Sequence, residues 1–377
     1  MKKSFLLMAT AALFAACASD SVRENIAEDQ VEIGFSTYIQ KPVASKADNS
    51  NATALKGLEA YHQNFVVNGF KTVATTETQV FANQLVTYAD SKWGYSPVSY
   101  WDKSASKYSF YAAAPQTANW AFVNDETEGK YYTISGFTLI GNSLALTANV
   151  DFSASASFSG VDTDLMIATD IDNHTDFTET AVNFTFNHIL SRLNISIAKA
   201  SDLSAATVTL QSLTINKMKN VGDFDESKVS GTNLSNGTVG RWTASGSATI
   251  SNASDATDLP VTEDKQWIYQ GLVIPQTVEV EAINLDGTKS DGEVAKPYLT
   301  INYSISTTSG TVTNTQDYSY NYNLADLFNG NGTDDIDFCE GWQNNLNITI
   351  GAGIPIKFDA KVYDWATKVD GSYQVKP

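Results

Sequence analysis

Apolar and polar residues alternate in short runs along most of the chain, and the runs are rich in the Thr, Val, Ile, Tyr and Phe that favour extended backbone. The first such run is Val31-Glu-Ile-Gly-Phe-Ser-Thr-Tyr38, in which Val31, Ile33 and Phe35 share one side. Others follow at Asn64–Phe70, Tyr131–Leu139, Ala181–Phe186, Asn194–Ile197, Ala206–Ile215, Tyr298–Ile305, Tyr318–Tyr322, Asn345–Ile350 and Ile356–Trp365, separated by clusters of Asn, Asp, Gly and Ser. Gln84–Tyr88 and Lys92–Tyr95 read as a hairpin with Asp90-Ser91 in its turn, and Thr78–Asn83 before it as a turn or short helix. Lys107–Pro115 passes from aromatic to small residues and stops at proline, as a central strand does on leaving its sheet. Leu324–Phe328 is the one helical turn expected. The pattern predicts an all-β protein of antiparallel sandwiches, and the polar interruption Ile171–Asp176 divides it into an N-terminal domain over 47–180 and a C-terminal domain over 181–377.

The beginning of the chain differs in kind. Lys2 and Lys3 precede an uncharged run from Ser4 to Ala16, too short to span a bilayer and of the form of a secretory signal. Leu13-Phe-Ala-Ala-Cys17 places small residues before a cysteine, the pattern of a lipoprotein signal. Residues 1–16 are therefore expected to be removed, Cys17 to carry lipid, and 17–46 to form a lipidated leader tied to an outer membrane. That leaves Cys339 with no second cysteine to pair with, and its neighbour Phe338 suggests buried packing.

Charge and candidate chemistry mostly exclude. The formal net charge of -18 argues against nucleic acid and anionic lipid surfaces as partners. His62, His174 and His188 have no metal-ligand spacing, and Asn329–Asp337, although rich in oxygen ligands, lacks the glycine and final glutamate of a calcium loop. Asp223-Phe-Asp225 and Asp286-Gly287 read as turns. No nucleophile motif appears, so neither a cofactor nor an enzyme activity is expected. Trp93, Trp120 and Trp242 could serve as stacking platforms in an alternative reading, a surface glycan-binding lipoprotein that does not polymerise.

Several stretches together resemble a known family. Tyr100-Trp101 before Tyr108–Pro115, then Asp164-Leu-Met-Ile-Ala168, Val182–Leu193 and Val362-Tyr-Asp-Trp365 are similar, in order, to the fimbrillin-like lipoproteins of the Bacteroidales, subunits of type V pili. The segment Phe186-Asn-His-Ile-Leu-Ser-Arg-Leu193 is the most distinctive; Asp102 stands where relatives often have proline. The resemblance implies two tandem transthyretin-like β-sandwich domains. It also implies adhesion at the cell surface and polymerisation with other copies or related pilus subunits, with host or bacterial surface ligands possible. In such subunits a protease removes the leader and first strand, and a neighbour's strand fills the groove. Carried over, the removable strand is Val31 to Ile39, about 30 Å long at about 3.3 Å per residue. Lys46 is the candidate processing site, because Lys41 precedes Pro42 and Arg23 precedes the strand. A cut at Arg23 would free the protein from lipid without opening the groove, so an uncleaved anchor or accessory subunit remains an alternative. The implied donor strand carries Ile356, Phe358, Val362 and Trp365.

Overall fold

The computed structural model describes residues 31–39, 58–60, 62–116, 119–139, 164–228, 240–251, 258–282, 295–329, 334–352 and 357–364. The first sheet contains β1 (Phe35–Ile39), β2 (Asn64–Val73), β3 (Thr76–Ala89), β4 (Lys92–Gly94), β5 (Lys107–Ala114), β8 (Met166–Ala168) and β10 (Val182–His188). They lie in the order β1-β10-β8-β5-β2-β3-β4, with β9 (Ile171–His174) also on β5. A second sheet, β14-β13-β7-β6, combines β6 (Ala121–Asp125) and β7 (Gly129–Thr138) with β13 (Val221–Asp225) and β14 (Trp242–Ser245).

The centre of the first sheet, at β2 and β5, is buried on both faces. Phe65, Val67, Phe110, Ala112 and Phe184 face one core, while Val66, Phe70, Tyr111 and Ile167 face the second sheet across Tyr132, Ile134, Phe224 and Trp242. This two-sided burial is why Phe65–Phe70 and Tyr108–Ala114 are continuously buried rather than alternating. Thr76–Ala89 is one 14-residue strand, not a turn or short helix followed by a strand. Its pairing with β2 shifts register twice, and the first shift is a bulge at Asn83, whose φ of 47° lets its N–H reach Asn68 Oδ1 at 2.9 Å. Asp90 and Ser91, at φ 51° and 63°, make the hairpin turn to β4.

Two further sheets enclose another core. One, β17-β11-β22-β23, is built from β11 (Ser191–Lys199), β17 (Gln266–Val273), β22 (Trp342–Ile350) and β23 (Lys357–Asp364). The other contains β12 (Thr207–Met218), β15 (Ala248–Ser251), β16 (Leu259–Val261), β19 (Tyr298–Ser309) and β20 (Val312–Asn323). Leu193, Ile195, Leu346 and Ile348 of the one meet Leu213, Ile215, Leu299 and Ile301 of the other. A small pair, β18 (Gln276–Val278) with β21 (Ile336–Phe338), and the single α-helix among the described residues, α1 (Leu324–Asn329), close this half.

The sheets do not divide at 180/181. Val182–His188 lies within the first sheet between β1 and β8, and β13 and β14 reach back to pair with β7. Alternation at β10 marked a strand, yet the same alternation serves either sheet. Asp223-Phe224-Asp225 is likewise strand, not turn, because Phe224 is buried under Trp242. Asp286-Gly287 lies outside the described residues.

The sheets meet at a charged node. Arg241, next to β14, forms a bidentate ion pair with the buried Glu340 ahead of β22, and its guanidinium lies over the Phe224 ring. Glu226 turns its carboxylate to the Tyr132 N–H at 2.8 Å. Burial pushes Glu226 up to about 8, aided by the charge of Asp170 and opposed by the Tyr132 N–H and Arg241; burial likewise pushes Glu340 up to about 7 against Arg241. Acids whose folded values lie above their unfolded ones hold more protons folded than unfolded. Their contribution is therefore full at low pH and lost as the pH climbs from about 4 through these values. The melting temperature is expected to fall between pH 5 and pH 8, and Glu226→Gln, which keeps an acceptor for Tyr132, to flatten that fall. Thermal melts of both proteins across this range check it; equal slopes would contradict it.

Candidate functional site: the groove of the first strand

The stretch from Val31 to Ile39 passes from one end of the first sheet to the other. At its start it runs antiparallel to the segment after β4: Ile33 N–H donates to Ser99 O at 3.0 Å, and Trp101 N–H to Val31 O at 3.0 Å. From Phe35 to Ile39 it runs parallel to β10 in register Phe35↔Val182 to Ile39↔Phe186. One segment thus pairs with β10 at one edge of the sheet and bonds the stretch that follows β4, the strand at the other edge, covering backbone donors and acceptors on each.

Its alternation matches the burial. Ile33, Phe35, Thr37 and Ile39 are buried, Val31 packs against the same core, and Tyr38 on the other phase is exposed. Phe35 is central to the ring cluster: its centroid lies 5.5 Å from Phe81, 5.3 Å from Tyr95 and 5.7 Å from a stacked Phe184, with Phe65 and Phe110 edge-on at 6.2 and 6.4 Å. Space for the rings comes from β2, where a Cβ on Gly69 would stand 2.7 Å from Phe81.

Polar contacts fix the strand lengthwise. Tyr95 donates its hydroxyl to Ile33 O at 2.6 Å, and burial pushes that phenol up to about 12, so it remains a donor. Leu58 N–H donates to Thr37 Oγ1 at 3.1 Å, and Ser36 hydrogen-bonds Asn183. At Gly34 the strand changes partners. Val182 N–H donates to Gly34 O at 2.8 Å, and a Cβ there would lie 2.2 Å from Thr180 O. Composition and period did not single out Tyr95, Leu58 or Thr180; a glycine inside an otherwise alternating strand was the one available signal of close backbone approach.

The other expected site residues lie apart from this groove or outside the description. Cys17, Lys41, Lys46, Ile356 and Trp365 lie outside the described residues. Phe358 and Val362 belong to β23, paired antiparallel with β22 opposite Ile348 and Asn344, at the edge of the third sheet. Trp242 is no exposed platform: it is buried and donates its indole N–H to Ile189 O at 2.7 Å. Trp93 packs against Phe65, and Trp120 packs against Tyr132 and Phe224. Cys339 is fully buried, which pushes its thiol up to about 12. His188 Nδ1 lies 2.9 Å from Asp164 Oδ2, and His62 Nε2 lies 2.6 Å from Asp164 O. Among the described residues no cluster of His, Cys, Asp and Glu could hold a metal.

The sequence matches the fimbrillin-like family model over residues 59–365. The chain belongs to the fimbrillin-like family. Its matched stretch leaves out the first strand: it begins at the residue after Leu58, 20 positions past Ile39, and ends one residue beyond β23. A solved fimbrial protein from Bacteroides vulgatus is similar at 16% identity, over 89% of this chain and 99% of that one, with a TM-score of 0.48. The tip fimbrial protein Mfa3 from Porphyromonas gingivalis, with C-terminal truncation, is similar at 9% identity over 89% and 100%, with a TM-score of 0.37. No curated protein sequence matches this fimbrillin-like chain.

Truncating the central ring of the groove tests its weight in the fold. Phe35→Ala is expected to cost about 3–5 kcal/mol, the range for removing a buried aromatic. Tyr38→Ala, at 42% exposure on the opposite phase, should stay within about 0.5 kcal/mol. Equilibrium urea unfolding of both variants measures this, and equal midpoints would refute the central role of Phe35.

Proposed function

We propose that this chain is a structural subunit of a surface fimbria that mediates adhesion, and that it polymerises by strand exchange once its first strand is removed. The observation that carries the reading is that residues 31–39 are built into the core by Ile33, Phe35 and Ile39 and bonded to both ends of the first sheet, yet lie at the N-terminal end, joined onward through a stretch containing Lys41 and Lys46. Family membership supports the fimbrial assignment. Cutting after Lys46 makes the strand a non-covalent occupant. Its departure leaves two unpaired sheet edges beside an apolar cleft, the template for accepting a strand from another subunit.

In this reading Cys17 carries the lipid that holds the precursor at the outer membrane, at the cell surface, until the cut releases it. The stretch Ile354 to Trp365, followed by the tail from Ala366 to Pro377, supplies the donor, reaching a neighbouring copy or a related pilus subunit. Its β23 portion occupies a sheet edge with one ladder, to β22, so detaching it breaks fewer bonds than extracting a central strand. The buried state of Trp242 and the ring packing of Trp93 and Trp120 weigh against the glycan-platform alternative.

The test is the N-terminus of the protein sheared from cells. Ala47 is expected at that end, together with a ladder of oligomers on unboiled gels. Lys46→Ala should leave the chain monomeric with residues 31–39 retained. Assembled protein that still begins at an acylated Cys17 would replace the exchange reading with that of an uncleaved anchor.

A further inference from the structure

We propose that the groove selects its occupant by reading a glycine, and that this position sets the register of any strand it accepts. The proposal rests on the reading that the groove is vacated and refilled. It concerns which strand fits: an extended segment with a glycine in the outward phase, flanked on both sides by apolar residues, a pattern absent from Ile354–Trp365, so the strand comes from a related pilus subunit and not from a second copy.

Alternation alone cannot set this register. The inward positions 33, 35, 37 and 39 are filled by Ile, Phe, Thr and Ile, so a slip by two residues still presents inward side chains to the core. The outward phase breaks the degeneracy. At Gly34 an added Cβ would meet the Thr180 carbonyl oxygen at 2.2 Å, with the Thr180 carbonyl carbon at 3.3 Å and Ala181 Cα at 3.6 Å. All three are backbone atoms of the segment entering β10, so no side-chain rotation relieves the contact. Val182 N–H, bonded to Gly34 O at 2.8 Å, holds that segment against the strand. Sliding by two would bring Glu32 or Ser36 under the same carbonyl, and each carries a Cβ.

The requirement is one of space, not backbone twist, since Gly34 is not among the glycines with positive φ. It acts one residue before Phe35, whose ring neighbours are Phe81, Tyr95 and Phe184. An incoming strand that places glycine correctly therefore seats a large apolar side chain there. One that does not is lifted away from both Val182 and the rings.

Two measurements test this. In the full-length chain, Gly34→Val is expected to lower hydrogen-exchange protection of the Phe35–Ile39 amides by at least about tenfold, the scale of an overpacked contact. Tyr38→Val, on the same outward phase, should leave it unchanged. Unaltered protection in Gly34→Val, or an equal loss in Tyr38→Val, overturns the proposal. In the second, chain cut at Lys46 is titrated with a labelled peptide of sequence Val31–Ile39 and with the same peptide carrying valine in place of Gly34. Binding of the glycine peptide at least about tenfold tighter is expected. Equal binding of both overturns glycine reading and leaves strand exchange intact. Binding of neither, with protection lost in Gly34→Val, sinks the exchange reading and upholds the glycine requirement.

Discussion

A curled sheet has two ends, and each presents backbone groups that need partners. In this chain one nine-residue segment satisfies both, first with Ser99 and Trp101, then with Val182 to Phe186. The rest of the N-terminal core depends on that closure. Phe35 reaches rings from β2, β3, β5 and β10 only because the strand carrying it lies between the two ends. Burying Ile33, Phe35 and Ile39 stabilises by about 1.5–3 kcal/mol each, a large share of the net stability of an ordinary domain. A protein that gave up such a strand with nothing to replace it would lose both hydrogen-bonding edges and the centre of its aromatic cluster.

The segment Phe186–Leu193 plays the complementary part where the neighbouring strand, β10, leaves the same sheet. Phe186 packs in the core that holds Phe35, while Ile189 and Leu190 enter the core between the first two sheets. Leu193 begins the core of the C-terminal half. His188, beside Asp164, fixes the exit from β10, and the carbonyls of Ile189 and Leu190 accept from Trp242 and Gly341. Eight residues thereby touch three cores, which constrains the composition of this stretch. The Arg241–Glu340 pair lies across the same join, binding the strand pair inserted between the halves to the start of β22.

Much of this was legible before any coordinates, wherever one face of a strand is buried and the other is not. Residues 31–39, 182–186 and 298–305 fall in that class, and their period of two is plain. Strand partners were less legible. Period two says which side chains share a face and nothing about which sheet receives them, so β10 was read into the second half although it closes the first. Bulges were hidden for a related reason: the positive φ at Asn83 depends on Asn68, a residue 15 positions away with no local mark. Trp242 shows the limit for surfaces, since an aromatic flanked by Arg and Thr reads as exposed until Phe224 and Ile189 are brought to it. Within the groove, the inward phase was readable and the partners of Gly34 were not, because Thr180 approaches from 146 residues away.

The two edge segments differ in what their loss would leave behind. Taking β23 from β22 removes one ladder, and β11, β17 and β22 remain a bonded sheet over Leu193, Ile195, Leu346 and Ile348. Taking residues 31–39 from the first sheet removes two sets of partners at once and uncovers Phe65, Phe81, Phe110 and Phe184 together. In the proposed exchange, a strand shed from the β22 edge and received at the first sheet would therefore move apolar surface and backbone bonds from a site that can spare them to one that cannot. That imbalance is what would give the proposed exchange between subunits its direction.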